Sequence, residues 1–334
     1  MTTARPKTST LWLLAAASVV LAGALSLAVG RGDLADASLR ETFLALRTNR
    51  LVAAFLTGTA LSVAGVLVQG LFRNPLADPG VLGTTAGAVL GGKLTLYLLE
   101  IALSTGIFRY VAPEAAVPIG CMAGALAAMV LLLGFVRGDG DLLLVLLLGF
   151  SLSSLFASIG SFVTILAQEQ WELGRALVAF ALGSVSGAGP RHILFALPSI
   201  VGGAIAAFAW GRSLDVLLSG EDEARALGVD VRVVRRWCAV WVSVLTGAAV
   251  SIGGFLGFVG LVVPHVLRPY TGAEHRRLLP FAAVFGGVFV VLCDVVVRAL
   301  PTRSEMPLGV MTGLVGAPLF LYLLLRQRRE AYDG

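Results

Sequence analysis

The sequence predicts an all-α integral membrane protein with about ten transmembrane helices, and three observations carry that reading. Apolar residues make up 57% of the 334-residue chain and charged residues only 13%, about half the share usual in soluble proteins. The mean hydropathy is +0.89. The few charges collect in short segments between uncharged runs of about twenty residues, the length that crosses ~30 Å of hydrocarbon as a helix. These features exclude a soluble enzyme and a disordered chain and make the lipid bilayer the solvent. A net charge of +5 would hint at nucleic acid in a soluble protein. In a membrane protein basic loops set orientation, so no nucleic-acid partner is inferred.

The spans follow in order. Arg5 and Lys7 precede an uncharged run from Leu11 to Val29, longer than the apolar core of a secretory signal and read as a retained first helix. Further runs lie at Leu51–Leu71, Val81–Leu99, Ala115–Val136, Leu142–Ala167, Ile193–Gly211, Leu278–Cys293 and Pro307–Leu325. The stretch from Trp237 to Leu267 is too long for one upright span and contains Gly253, Gly254, Gly257, Gly260 and Pro264. It is split into two helices near Gly253-Gly254. Ten spans put both termini on one side. Fifteen Arg and Lys residues fall with the termini and nine opposite them, Arg31, Arg40, Arg47, Arg50, Arg109, Arg175, Arg191, Arg298 and Arg303, with Lys93 inside a span. That bias makes the termini cytoplasmic. The outward arginines run against it and invite an acidic partner.

Several local patterns carry chemistry. Phe72 to Pro79 is a polar turn with two prolines, followed by a small-residue run from Gly80 to Ala88. Gly87 to Leu94 nearly matches a phosphate-binding loop, but Leu94 replaces the magnesium-binding hydroxyl and the segment lies inside a span, so this chain holds no ATP by that route. Lys93 either snorkels or lines a polar interior. The segment 212–236 mixes the acidic group Glu221, Asp222 and Glu223 with Ala224, Arg225, Ala226, Leu227 and Gly228. It fits either a solvated connector or a docking element built of short helices broken at Gly220 and Gly228. Asp294 and Arg298 are four apart and can pair on one helix face. Ser151, Ser153, Ser154, Ser158, Ser161 and Thr164 make the fifth span the richest in hydroxyls. Cavity lining and helix-helix hydrogen bonding both suit it. The three cysteines and three histidines form no metal or nucleophile constellation.

The strings R-T-N-R (Arg47 to Arg50), Gly58, Gly65, Gln69 and RNPLADPGVLG (Arg73 to Gly83) resemble the signature of FecCD-type permeases, subunits of ABC importers for ferric siderophores, haem and cobalamin. In the C-terminal half, EARALGV (Glu223 to Val229), GFVGLVVPHVLR (Gly257 to Arg268), EHRRLLP (Glu274 to Pro280), DVVVR (Asp294 to Arg298) and PLGVMTGLVGAPLFLYLL (Pro307 to Leu324) continue the likeness. The motifs occur in register over nearly the whole chain. The first helix and 104–140 carry none of them. Thr48 and Asn49 depart from the commoner R-[LI]-P-R, although both arginines are kept.

The resemblance implies a single permease domain over 1–334 with type II ABC importer architecture, in the bacterial inner membrane. Its expected partners are a second permease copy or close homologue, two cytoplasmic ATPase subunits and an external substrate-binding protein. ATP and magnesium are expected on the ATPase, with no cofactor on this chain and no catalytic or metal-binding residue. The resemblance assigns residues 221–228 to coupling with the ATPase, Asn74 and Leu76 to the cytoplasmic gate, and Arg47, Arg50 and Arg298 to binding-protein docking. Ser151, Ser154, Ser158 and Ser161 are expected to line the cavity. Ferric siderophore is the first expectation for substrate, with haem and cobalamin behind it. An ion-coupled secondary transporter is the rival class, which would require midplane carboxylates or broken helices.

Overall fold

The computed structural model describes residues 8–30, 38–104, 113–135, 142–301 and 306–332. Arg5, Lys7, Arg31, Arg109 and Arg303 lie outside them. The described residues form twelve helices and no strand: α1 (Thr8–Ala28), α2 (Arg40–Leu71), α3 (Thr84–Ser104), α4 (Pro113–Phe135), α5 (Leu142–Ala167), α6 (Trp171–Leu182), α7 (Pro190–Leu217), α8 (Glu221–Ala226), α9 (Val231–Gly253), α10 (Val259–Thr271), α11 (His275–Ala299) and α12 (Leu308–Tyr332). Nine of them, all but α6, α8 and α10, are long and apolar enough to cross a membrane.

The tenth expected span is α10, and it is short. Its 13 residues rise about 20 Å, two thirds of the hydrocarbon thickness. The break that creates it falls at Gly254, where the expected split was placed, and α10 then runs back beside α2. Two features differ from expectation. The 12-residue α6 occupies a stretch read as an external loop, because Glu172 and Arg175 interrupt its apolar pattern. The segment 212–236 is largely helical, with α7 running to Leu217 and α9 starting at Val231, so the connector proper is 218–230.

The central element is α2, buried almost continuously from Ala53 to Leu71, with α7, α9, α10 and α11 packed around it. Hydrocarbon supplies no hydrophobic drive between helices, so close backbone approach must hold the bundle together. It does so at glycine: a Cβ on Gly65 would lie 1.9 Å from the Gly260 carbonyl oxygen of α10, and one on Gly58 2.1 Å from that of Gly286 in α11. Neither position tolerates a side chain. The bundle has two polar ends, marked on α2 by Arg50 and Gln69. They are about 28 Å apart at 1.5 Å per residue, close to the thickness of the bilayer core. The chain begins α1 at the Gln69 end, where Trp12 stacks on Phe281 near the start of α11 with centroids 4.7 Å apart.

Candidate functional site

At the Arg50 end, α1, α2 and α11 meet around Asp294, whose side chain is fully buried. Arg50 donates from Nε to Asp294 Oδ1 at 2.8 Å. Arg298, one turn along α11, places its Nε 2.9 Å from Asp294 Oδ2 as an ion pair. Arg298 also donates from Nη1 to the Ser26 carbonyl (2.9 Å) and from Nη2 to Ser26 Oγ (2.8 Å), and Nη1 reaches the Val29 carbonyl. Arg47 donates from Nη1 to the Leu27 carbonyl (2.7 Å) and from Nη2 to that of Gly30 (3.1 Å). The two arginines therefore satisfy the orphan carbonyls at the C-terminus of α1, where the helix dipole favours cations.

The three arginines foreseen for docking thus lie together and carry internal bonds. Three cations and one carboxylate leave this quartet at a net charge of +2. Arg47, Arg50 and Arg298 also line one cavity of about 390 Å³, walled by Phe43, Asn49 and the α6–α7 connection 185–190. The sequence showed the Asp294–Arg298 spacing. It did not show that Arg50, 244 residues away, closes the triad, or that Arg298 and the neighbouring Arg47 hold the end of α1.

At the opposite end, the turn after α2 is held by its own side chains. Asn74 Oδ1 accepts from the Leu76 amide at 2.9 Å, and Asp78 Oδ1 from the Gly80 amide at 2.7 Å. Burial pushes the Asp78 carboxyl up to about 6, against the opposing pull of the Gly80 and Val81 amides. Arg73, just before Asn74, adopts a left-handed conformation with φ 48°, which turns its side chain toward α8.

The helix α8 stands between Gly220 and Gly228, both at positive φ, as expected. Its inner face is Glu221 and Ala224, with Ala224 packed on Leu217 and Val231. Asp222, Glu223, Arg225, Ala226, Leu227 and Gly228 face outward, and Leu227 is 71% exposed. Glu221 is only 9% exposed and gathers three cations. Arg225 Nη2 donates to its Oε2 at 3.1 Å, Arg235 of α9 pairs with its Oε1, and Arg73 Nη2 lies 3.9 Å from the same oxygen. One carboxylate thereby links α8, α9 and the Asn74 turn. The Arg225 partner is legible as an i+4 spacing. Arg73 and Arg235 are not, since only the folded chain brings them there.

Between the ends, Ser151, Ser154, Ser158 and Ser161 are exposed on one face of α5, pointing away from the chain's own core. Ser151 and Ser158 donate to the carbonyls of Leu147 and Ser154 on the same helix. Ser153 and Thr164 turn inward instead. Thr164 accepts from Lys93 Nζ at 2.8 Å, and the Gly160 carbonyl from the same nitrogen at 3.1 Å, so Lys93 joins α3 to α5. The near-match to a phosphate loop lies wholly inside α3.

Nine membrane-length helices with the short α10 beside them, a charged cavity at one end and an exposed short helix linked to a turn at the other define a multi-pass transport permease. The chain belongs to the FecCD transport family, which it matches over residues 8–326. It is 38% identical to the vitamin B12 import system permease protein of Vibrio vulnificus over 332 residues, 95% of this chain and 94% of that one. It is 36% identical to the hemin transport system permease protein of Yersinia pestis, covering 86% and 84% of the two chains. A solved structure described as an inward-facing metal-chelate type ABC transporter superposes with a TM-score of 0.79 at 28% identity, covering 95% of this chain and 99% of the other. The protein is thus a permease subunit of a type II ABC importer.

Proposed function

We propose that the chain moves a metal chelate, with a ferric siderophore as the first candidate, from an external binding protein into the cytoplasm. In this reading the Arg50 end is external and the α8 end, with both termini, is cytoplasmic in the bacterial inner membrane. The observation that carries it is the link from Glu221 to Arg73: a helix exposed for docking is tied by one carboxylate to the turn holding Asn74 and Leu76. A displacement of α8 by an ATPase reaches that turn through the ion pair at 3.9 Å rather than through flexible chain alone.

The remaining parts take their places around that link. Residues 221–228 seat the ATPase, with Leu227 as an apolar knob, and Asn74 and Leu76 form the gate. ATP and magnesium stay on two ATPase subunits, and this chain binds no cofactor. Arg47, Arg50 and Arg298 receive acidic residues of the binding protein in the external cavity. The serine face of α5 turns toward a second permease copy or close homologue and lines the path with uncharged hydroxyls. Such a wall lets a bulky polar chelate pass without meeting hydrocarbon. The test is ATP turnover. The purified chain alone hydrolyses none, and turnover appears with the ATPase subunit and rises with loaded binding protein. Saturable turnover by the chain alone, free of contaminants, contradicts the division of labour.

A further inference from the structure

A second and larger cavity, about 1150 Å³, opens at the α8 end between the ends of α2 and α4 and the starts of α5 and α9. It exceeds the roughly 300–1,000 Å³ of ordinary small-ligand sites. Its lining has two parts. One wall is apolar, with Leu126, Met129, Val130 and Leu133 of α4 facing Ala239 and Val240 of α9. The other part is basic: Arg73 beside the turn, and Arg232, Arg235 and Arg236 in the first two turns of α9. Glu221 neutralises Arg235. Arg232 and Arg236 have their side chains exposed, and neither takes part in an ion pair among the described residues. None of Ser151, Ser154, Ser158 and Ser161 lines this cavity, so it is separate from the serine face of α5, while Asn74 of the turn borders it.

Depth and outlook identify the occupant. Trp237 follows Arg236 directly and is 45% exposed, the placement of an aromatic residue at the membrane–water boundary. The arginines therefore stand at headgroup level. The apolar wall continues outward into Val130, 60% exposed, and Leu131, which face hydrocarbon. The N-terminus of α9 adds its positive dipole end on the same side. A cavity with cations at headgroup depth and an apolar wall open to acyl chains fits an anionic phospholipid.

We propose that this cavity holds the phosphate headgroup and upper chains of an anionic phospholipid from the leaflet on the α8 side, with Arg232 and Arg236 as its main charge contacts. Bound there, the lipid wedges between α4 and α9 next to Arg73 and ties the turn to the bilayer. The orientation proposed above fixes only which leaflet supplies the lipid.

Native mass spectrometry of the full chain released from an equimolar mixture of phosphatidylglycerol and phosphatidylcholine tests the proposal. The expected result is preferential retention of phosphatidylglycerol, falling several-fold in Arg232→Gln with Arg236→Gln. Arg232→Lys with Arg236→Lys, and the distant Arg191→Gln, should keep the preference. No preference in the wild type, or one unaltered by the double Gln variant, overturns the site. Loss of ATPase association in that variant with lipid retention unchanged assigns the arginines to the ATPase and also overturns it. Lipid retention is read without transport, so either failure leaves the importer reading standing.

Discussion

Glu221→Gln is the sharpest perturbation the structure offers. The substitution keeps the size and an acceptor oxygen of the side chain and removes only its charge. Glu221 is 9% exposed and faces three cations, of which Arg235 is the least exposed at 35%. The Arg225 pair lies within α8 and does not count toward its attachment, and the pair with the solvent-exposed Arg73 contributes about 0.5 kcal/mol. A hydrogen bond to a charged partner such as Arg235 contributes about 1.5 kcal/mol, the lower end of the range because Arg235 is partly exposed. Removing the charge therefore weakens the attachment of α8 to α9 and to the Asn74 turn by about 2 kcal/mol, which multiplies the detached population about 30-fold. The assay is chelate transported per ATP hydrolysed in vesicles holding the complete transporter. Transport per ATP should fall several-fold while hydrolysis persists. A double-mutant cycle with Arg73→Gln should return a coupling energy below about 1 kcal/mol, as the 3.9 Å separation requires. An unchanged ratio of transport to hydrolysis in Glu221→Gln would refute the linkage.

Three further outcomes follow from single residues. Gly228 stands at φ 82° with open space around it, so Gly228→Trp should place a bulky group on the docking face, strain the left-handed backbone at the end of α8 and abolish co-purification of the ATPase while membrane insertion stays normal; full co-purification removes α8 from the interface. Arg50→Ala should weaken binding-protein affinity several-fold and flatten its dependence on salt, whereas Arg298→Ala, losing bonds to Asp294, Ser26 and Val29, should lower the thermal midpoint further than Arg50→Ala does; an unchanged affinity and salt slope in Arg50→Ala moves docking elsewhere. The raised pKa of Asp78, about 6 against 3.8, means the folded state holds more protons than the unfolded one between those values. Its contribution to stability therefore grows as pH falls from 7 through 6 and levels off below about 4, by at most about 3 kcal/mol. Asp78→Asn keeps an acceptor for the Gly80 amide and should remove that component, which thermal midpoints of the two proteins across pH 4–7 will show as a closing gap; parallel curves contradict it.

The bilayer explains what was legible. Uncharged runs of fixed length gave the long spans, and clustered glycines gave the break between α9 and α10, because both are demanded locally by hydrocarbon and backbone geometry. Glycines 220 and 228 likewise delimited α8. The half-length α6 escaped because Glu172 and Arg175 suit a loop equally well, and only packing makes that stretch helical. The start of α2 at Arg40 escaped for a related reason: charged residues ended the span but not the helix. Most of the site was visible as residue types and not as bonds. Arg47 and Arg298 looked like outward charges, yet both are turned toward the carbonyls of α1, a relation that spans 20 residues for Arg47 and 272 for Arg298.

The central claim is that this chain is the membrane half of an ATP-driven chelate importer, with α8 as the point where the ATPase acts. The most direct measurement is accumulation of a ferric siderophore inside sealed vesicles that carry the chain, its ATPase and its binding protein. Accumulation should require all three components and ATP on the α8 side, and should persist when proton and sodium gradients are collapsed. Uptake by the chain without the ATPase, driven by an ion gradient, would contradict the account.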